Sequence, residues 1–511
     1  MAYALGIDVG TGGTRALIVD EHGRVIGSAT EEHVPFASPQ IGWAEQHPDD
    51  WWRAAGVAIR QALGKAKLTG EDIACIGFSG QMHGAVMLDE NDRVVRPALI
   101  WCDVRTGPQC QELTQKIGAD RLIQLTCNPA LPNLTVTKFL WVQENEPDNW
   151  KRVRHVMLPK DYVRFRLSRE RAIDVADASG TLLLDVANRR WSREVLAAAN
   201  IDESLLPSLH ESPDVCGRVS PEGAAATGLK IGTPLVAGAG DQAAGAVGMG
   251  IAAPGVVSAT IGTSGVVFAA TDRPALDRHG RLHTFCHAIP GRWHVMGVTQ
   301  AAGLSLRWFR NQFGTGHVQS KEMNGHPDPY DLLSQEAATV AAGCDGLLWT
   351  PYLMGERTPH LDPQARGALI GLTASHTRAH VIRAIMEGVA FSLRDTFTIF
   401  AEMSVPVTRI RLGGGGARSK LWRQIQADVY GHEVESVEAE EGAAYGAALL
   451  AGVGVQIWPS VDAACNSVVR VASRTQPNAK NIDVLNESYE RYRRVYGATR
   501  EIFMPALRAS Q

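Results

Sequence analysis

Paired cysteines are the first thing this sequence lacks. Its eight cysteines, at positions 75, 102, 110, 127, 216, 286, 344 and 465, include no CxxC pair, which excludes a zinc-ribbon spacing and suggests no disulfide framework. Reduced thiols fit a reducing compartment, so a cytoplasmic location is expected. An excess of basic charge is also missing. Lys and Arg total 50 against 54 Asp and Glu, for a formal net charge of −4, leaving no electrostatic footprint for nucleic acid. The opening MAYALGIDVGTGG has no basic segment and is broken at once by Asp8, so no secretion signal is predicted. Residues 242–271 carry no Asp, Glu, Lys or Arg, yet Gly245, Gly248, Gly250, Pro254, Gly255, Gly262 and Gly265 interrupt them. That rules out the continuous run of roughly 20 apolar residues a membrane helix needs. The stretch reads instead as a buried linker, suited to a hinge, followed by strands around a glycine turn.

What is present points to a folded enzyme of more than one domain. The chain has 511 residues, 45% hydrophobic and 20% charged, more than one core usually serves. Glycine is plentiful, 51 residues, which directs attention to tight turns and to backbone that approaches a ligand. Ala4–Ile7, a DVGTGG loop and Ala16–Val19 read as strand, turn, strand. The same grammar returns at 256–261, GTSG (262–265) and 266–269, so a duplication with a boundary near residue 250 is one reading and ordinary turn chemistry the other. Short β-rich runs such as 73–78 and 409–412 alternate with helical patterns, the signature of an α/β architecture. From Thr377 onward Val381, Ile382, Ile385, Met386, Val389, Ala390 and Leu393 define one buried helix face, with Arg378, Arg383 and Arg394 interleaved. The C-terminal NESYERYRRVYGATREIF reads as a charged helix with a solvated face.

Three glycine loops could bind phosphate through exposed amides: GTGGTR (10–15), GTSG (262–265) and GGGG (413–416). None fits GxxxxGK[ST], and Arg418 replaces the last glycine of GxGxxG. Hydroxyls at Thr11, Thr14, Thr263 and Ser264, with Arg15, suit phosphate oxygens. Asp8, at the mouth of the first loop, either caps a turn or reaches phosphate through a water-linked Mg²⁺. Asp241, in LVAGAGDQAAGAVGMG beside Gln242, is either a helix N-cap or a general base aimed at a substrate hydroxyl. Gln81, Met82 and His83 of SGQMHG follow a strand, and Trp101 and Asp103 end another. Such positions suit a polyol, with His83 and Asp103 on its hydroxyls and Trp101 against its carbon skeleton. The histidines of HTFCH (283–287) and His294 match no zinc spacing.

Taken together these segments resemble the FGGY family of carbohydrate kinases. Residues 367–387, GALIGLTASHTRAHVIRAIME, match the family's long second signature. NLTVTKFLWVQEN (133–145) matches its first, with Thr135, Lys138, Phe139, Trp141, Glu144 and Asn145 in place, although Asn133 departs from the usual residue at its start. QMHG, GDQAAGA, GTSG, ERTPH (356–360) and GGGARS (414–419) follow in family order, over a span from about Tyr3 to about Gly454. The resemblance implies two ribonuclease-H-like domains of the actin-like ATPase kind around a central cleft. Residues 1–248 would be the sugar-binding domain and 249–511 the nucleotide-binding domain. It further implies ATP and Mg²⁺ as cofactors and phosphorylation of D-xylulose to D-xylulose 5-phosphate, with Asp241 as base and Asp8 acting through the Mg²⁺ complex. Met82 and His83 would contact the sugar, with Gln81, Trp101, Asp103 and Gln242 nearby. Thr11, Gly12, Gly13, Arg15, Gly262 and Thr263 would hold phosphates, while Gly415 and Gly416 would let adenosine lie on the backbone. Glycerol kinases carry Arg-Glu where this chain has Met82-His83, which disfavours glycerol. A ribulose, gluconate or fuculose kinase, or an actin-like ATPase switch, is the alternative. A homodimer is a family-level expectation.

Overall fold

The computed structural model describes residues 2–314, 328–438 and 442–503. Two seven-stranded sheets organise it. The first contains β1 (Tyr3–Val9), β2 (Gly13–Val19), β3 (Val25–Glu32), β4 (Ile73–Gly80), β5 (Val215–Arg218), β6 (Pro234–Val236) and β7 (Ala239–Gly240). The second contains β8 (Gly255–Ile261), β9 (Gly265–Thr271), β10 (His283–Cys286), β11 (Trp293–Thr299), β12 (Val407–Gly414), β13 (Val434–Val437) and β14 (Val471–Thr475).

Strand order decides the duplication question. The first sheet runs β5-β6-β4-β1-β2-β3, with β7 also on β4, and the second runs β10-β11-β9-β8-β12-β13-β14. In each, a central strand pairs antiparallel with the strand after its glycine turn and parallel with a distant one: β1 with β2 and β4, β8 with β9 and β12. Turn chemistry alone would not reproduce that order, so the two halves repeat one plan. These are the two ribonuclease-H-like domains of the expected architecture.

Helices cover the sheets because each carries an apolar stripe. Helix α1 (Pro48–Ala66) starts on His47, whose side chain accepts from the Asp49 N–H, with Pro48 in its first turn; Trp51, Ala55, Ala58, Ile59 and Ala62 are buried beneath it. Helix α2 (Asp241–Gly248) replaces the expected linker after residue 241, since small residues let it form inside the core. Helix α3 (Arg378–Glu402) starts on a capping box between Thr377 and His380. Arg383 on α3 is buried and pairs with Glu387 at 2.8 Å. Helix α4 (Gly442–Gly454) belongs to the second half by sequence yet packs on β1 and β4 of the first sheet and crosses α2. Helix α5 (Ala479–Phe503) differs from the expected solvated element, because Leu485, Tyr489 and Tyr492 turn into the second core.

The contact between halves is made by bare backbone. A methyl group on Gly446 of α4 would lie 1.8 Å from the Ala244 carbonyl oxygen of α2. On Gly6 and Gly77 of the first sheet it would lie 2.0 Å from the carbonyls of Ala444 and Ala447. No side chain fits there, so glycine is obligatory. Among the described residues no helix is long and apolar enough to cross a membrane.

Candidate active site

The first half supplies its chemistry where β1, β4 and β7 end side by side. Asp8 stands opposite Arg15 on β2 and Ser79 on β4. β7 pairs Gly240 with Gly80, which sets Asp241 immediately beyond the same edge. Gln81 follows β4 and donates its backbone N–H to Val9 O at 2.8 Å. This is the carboxyl end of parallel strands, where open α/β sheets bind ligands.

Asp8, Asp241 and Gln242 line one cavity of about 830 Å³ together with Gly413, Gly414 and Gly415. A second cavity of about 550 Å³ is lined by Gly262, Thr263, Tyr330, Gly415, Gly416 and Trp422. Gly415 and Arg418 line both, so carboxylates from one half and glycine loops from the other share one continuous neighbourhood. Methyl groups added to Gly12, Gly262 and Gly415 would meet nothing closer than 3.6 Å. Packing does not demand glycine at these three positions. Gly416 is different: a methyl there would strike the Ile261 side chain at 2.7 Å.

Asp241 is the first residue of α2 and caps nothing; Gly240 holds the cap position and no side chain bonds there. That removes the capping alternative. Burial, and then the neighbouring Asp8 carboxylate, push the Asp241 pKa up to about 7, while Gln242 pulls it back through hydrogen bonds, its Nε2 donating to Oδ1 at 3.3 Å. Asp8 is raised by burial, against the lowering effects of Ser79 and Arg15. Its Oδ1 is buried without a hydrogen-bond partner among the described residues.

The GTGGTR loop is braced rather than open on every side. Gln46 Nε2 donates to Thr11 O at 2.8 Å, Gln81 Nε2 to Gln46 Oε1 at 2.9 Å, and Trp51 Nε1 to the same oxygen at 3.1 Å. The Thr11 hydroxyl donates to Gln81 Oε1 at 3.3 Å and accepts from Trp101 Nε1 at 2.9 Å. The Thr14 hydroxyl meets His33 Nε2 at 2.8 Å, and the residue is fully buried. Gln81 and Trp101 therefore brace the loop through their polar atoms. Thr11, Gly12, Gly13 and Arg15 lie outside the lining of both cavities, at the edge marked by Asp8.

The QMHG loop packs on the Asp241 segment, where a methyl on Gly240 would touch Met82 Cγ at 2.8 Å. His83 is buried, with a φ of 68°. Its Nδ1 lies 2.9 Å from Gly180 O and must be the protonated nitrogen, because a carbonyl only accepts. Burial and the nearby Lys138 hold the ring's pKa well below its usual value, so it is neutral and Nε2 is an acceptor. Asp103 is fully buried and spends both oxygens, on the Ala44 N–H at 2.7 Å and on Arg105, whose guanidinium lies over the Trp43 ring. It anchors the Trp101 turn.

Sequence reasoning missed the braces Gln46 and His33, which sit in no motif, and gave Lys138 no role. That lysine is buried, donates to His83 O at 2.7 Å and Asn133 O at 2.6 Å, and is brought down to about 7 by burial. Among the described residues no group of three or more His, Cys, Asp or Glu could hold a metal. Two close carboxylates, one with an orphaned oxygen, still suit Mg²⁺, which keeps waters and phosphate oxygens as its remaining ligands.

Comparison with known proteins bears on the whole chain. The model of the FGGY N-terminal domain matches residues 3–248 and that of the C-terminal domain residues 257–455. The chain is 38% identical to a xylulose kinase of Bacillus subtilis over 502 residues, and 40% identical to one of Lactococcus lactis over 504, each covering 98% of both chains. A solved xylulose kinase from Rhodospirillum rubrum superimposes with a TM-score of 0.89 at 29% identity, covering 98% of this chain and 100% of the other. On these matches the chain belongs to the FGGY family of carbohydrate kinases.

Proposed function

We propose that this protein transfers the γ-phosphoryl group of ATP to the terminal O5 of D-xylulose, giving D-xylulose 5-phosphate. The observation that carries the reading is the pair Asp8 and Asp241, half-buried together in the lining of a cavity that also takes in the glycine-rich backbone of the second half. The curated relatives supply the choice of sugar.

Asp241 accepts the proton of the attacking hydroxyl. A sugar hydroxyl is a weak nucleophile, but phosphoryl transfer through a loose transition state depends chiefly on alignment and charge neutralisation. An ionised carboxylate at the first turn of α2 is favoured by the helix dipole and held in place by Gln242. His83 Nε2 and Met82 contact the sugar, with residues 1–248 forming its domain and residues 249–511 that of the nucleotide. Thr11, Gly12, Gly13, Arg15, Gly262 and Thr263 bind the phosphates, and Gly415 and Gly416 lie against adenosine. Asp8 holds Mg²⁺ through water, and the ion when bound supplies positive charge to the phosphate oxygens.

The test is incubation of the pure protein with Mg-ATP and a panel of ketoses, aldonates and polyols, with mass detection of the phosphorylated product. D-Xylulose monophosphate is the expected product, and Asp241→Asn should lower turnover by about 10² to 10⁴. Preferential conversion of ribulose or gluconate would overturn the choice of sugar, and unchanged turnover in Asp241→Asn would remove the base.

A further inference from the structure

His83 adopts a backbone conformation that most side chains avoid. Its φ of 68° lies in the left-handed region, where a residue with a side chain is strained unless its surroundings over-determine it. Both flanks of the turn are anchored: the Gln81 N–H donates to Val9 O at 2.8 Å and the Ala85 N–H to Leu99 O at 3.0 Å. A methyl on Gly84 would strike the Pro159 ring at 2.5 Å, so the chain after His83 has little room to swing. The imidazole is confined as well. Its Nδ1 donates to Gly180 O, and a methyl on Gly180 would lie 2.6 Å from that nitrogen.

What fixes the peptide itself is Lys138. This residue, on the helix Thr135–Asn145, is fully buried, and its Nζ donates to His83 O at 2.7 Å and to Asn133 O at 2.6 Å. Both acceptors are carbonyls, so no carboxylate compensates directly for the lost hydration. Asp103, whose charge favours the ammonium form, is committed to Arg105 at 2.6 Å. Either form of the amine has the two N–H donors that the two carbonyls use. A core that needed only packing would be served better by an apolar side chain of similar volume. The amine instead reaches the carbonyl of His83, which alone among residues 81–85 has a positive φ.

The turn stands against the segment that carries the base, since a methyl on Gly240 would touch Met82 Cγ and Asp241 comes next in the chain. We propose that Lys138 is a positioning residue for the sugar site: its Nζ holds the His83 carbonyl, and with it the left-handed turn that presents His83 Nε2 to a sugar hydroxyl. The assignment deepens the sugar-kinase reading above and rests on it. With the amine gone, the peptide is free to return to an ordinary φ, which carries the imidazole away from its place beside Gly180. Lys138 itself touches neither substrate, so its effect on the sugar passes through His83.

The experiment measures Kd for D-xylulose by calorimetry and KM for Mg-ATP in the native protein, in Lys138→Met, in His83→Ala and in the double variant. Lys138→Met should lose about 10- to 100-fold in ketose affinity while the KM for Mg-ATP stays level. In the double variant the ketose should bind no more weakly than in His83→Ala, within about twofold. Lys138→Gln, which keeps an N–H donor at the same place, carries the same cycle if Lys138→Met does not fold. Losses that multiply in the double variant, an unchanged ketose affinity in Lys138→Met, or an equal rise in the nucleotide KM overturn the assignment and leave the kinase reading standing. A coupled cycle in a protein that phosphorylates no sugar overturns the kinase reading and leaves the assignment standing. A native protein that binds no D-xylulose overturns both.

Discussion

The shifted Asp241 carboxyl makes the pH dependence of catalysis a direct reading of the site. With a pKa near 7 instead of an ordinary 3.8, about half of the free enzyme carries the ionised base at pH 7 and about a tenth at pH 6. The kcat/KM for sugar should therefore fall about tenfold per unit on the acid side of pH 7, where an ordinary aspartate would leave it level. The same shift affects folding. An acid raised on folding adds stability below its unfolded pKa, and that stability is lost as pH climbs from about 4 through 7. Three units correspond to about 4 kcal/mol at most, and water in the cavity reduces this to about 1–2 kcal/mol. Asp241→Asn should thus be more stable than the native protein at pH 8 and no more stable at pH 4, while losing its turnover. A steady-state series from pH 5.5 to 9 with coupled ADP detection, and urea melts of both proteins at pH 4 and 8, check the two halves. A profile level down to pH 5.5, or an acid limb that persists in Asp241→Asn, would refute the reasoning.

Other outcomes follow from packing. Gly446→Ala forces a methyl into the Ala244 carbonyl and should cost about 1–3 kcal/mol in urea melts, whereas Gly497→Ala, on α5 with nothing within 4 Å, should gain about 0.5–1 kcal/mol; equal effects would contradict the close crossing. Glu387→Ala strands the buried Arg383 and should cost about 3–5 kcal/mol, with a loss under 1 kcal/mol counting against it. Small-angle scattering with D-xylulose and a non-hydrolysable nucleotide should show compaction, and an unchanged radius of gyration would exclude closure of the halves.

What the sequence revealed and what it hid follow from the range of the interactions involved. The repeated strand, glycine turn, strand is local, and it was readable at both 4–19 and 256–269 because turn residues and apolar runs mark themselves. Asp8 and Asp241 stood out as lone charges in apolar surroundings, and both line the cavity. Asp103 looked like a ligand because nothing nearby in sequence shows that Ala44 comes to its carboxylate from 59 residues away. The burial of Arg383 was not legible because the stretch of α3 around it is buried on every side and has no polar face to separate from its apolar one. The tyrosines of α5 were hidden by the charges between them, which solvate the opposite side.

The glycine crossing of α2 and α4 gives the chain a lever. Asp241 sits at one end of α2, and Gly248, whose added methyl would lie 2.8 Å from the Gly442 carbonyl, sits at the other. Seven residues of helix make an arm of about 10 Å, so a 10° tilt at the fulcrum swings the carboxylate end by about 2 Å. Interlocked side chains would resist such a tilt until they changed rotamer, whereas smooth main chain against main chain has nothing to disengage.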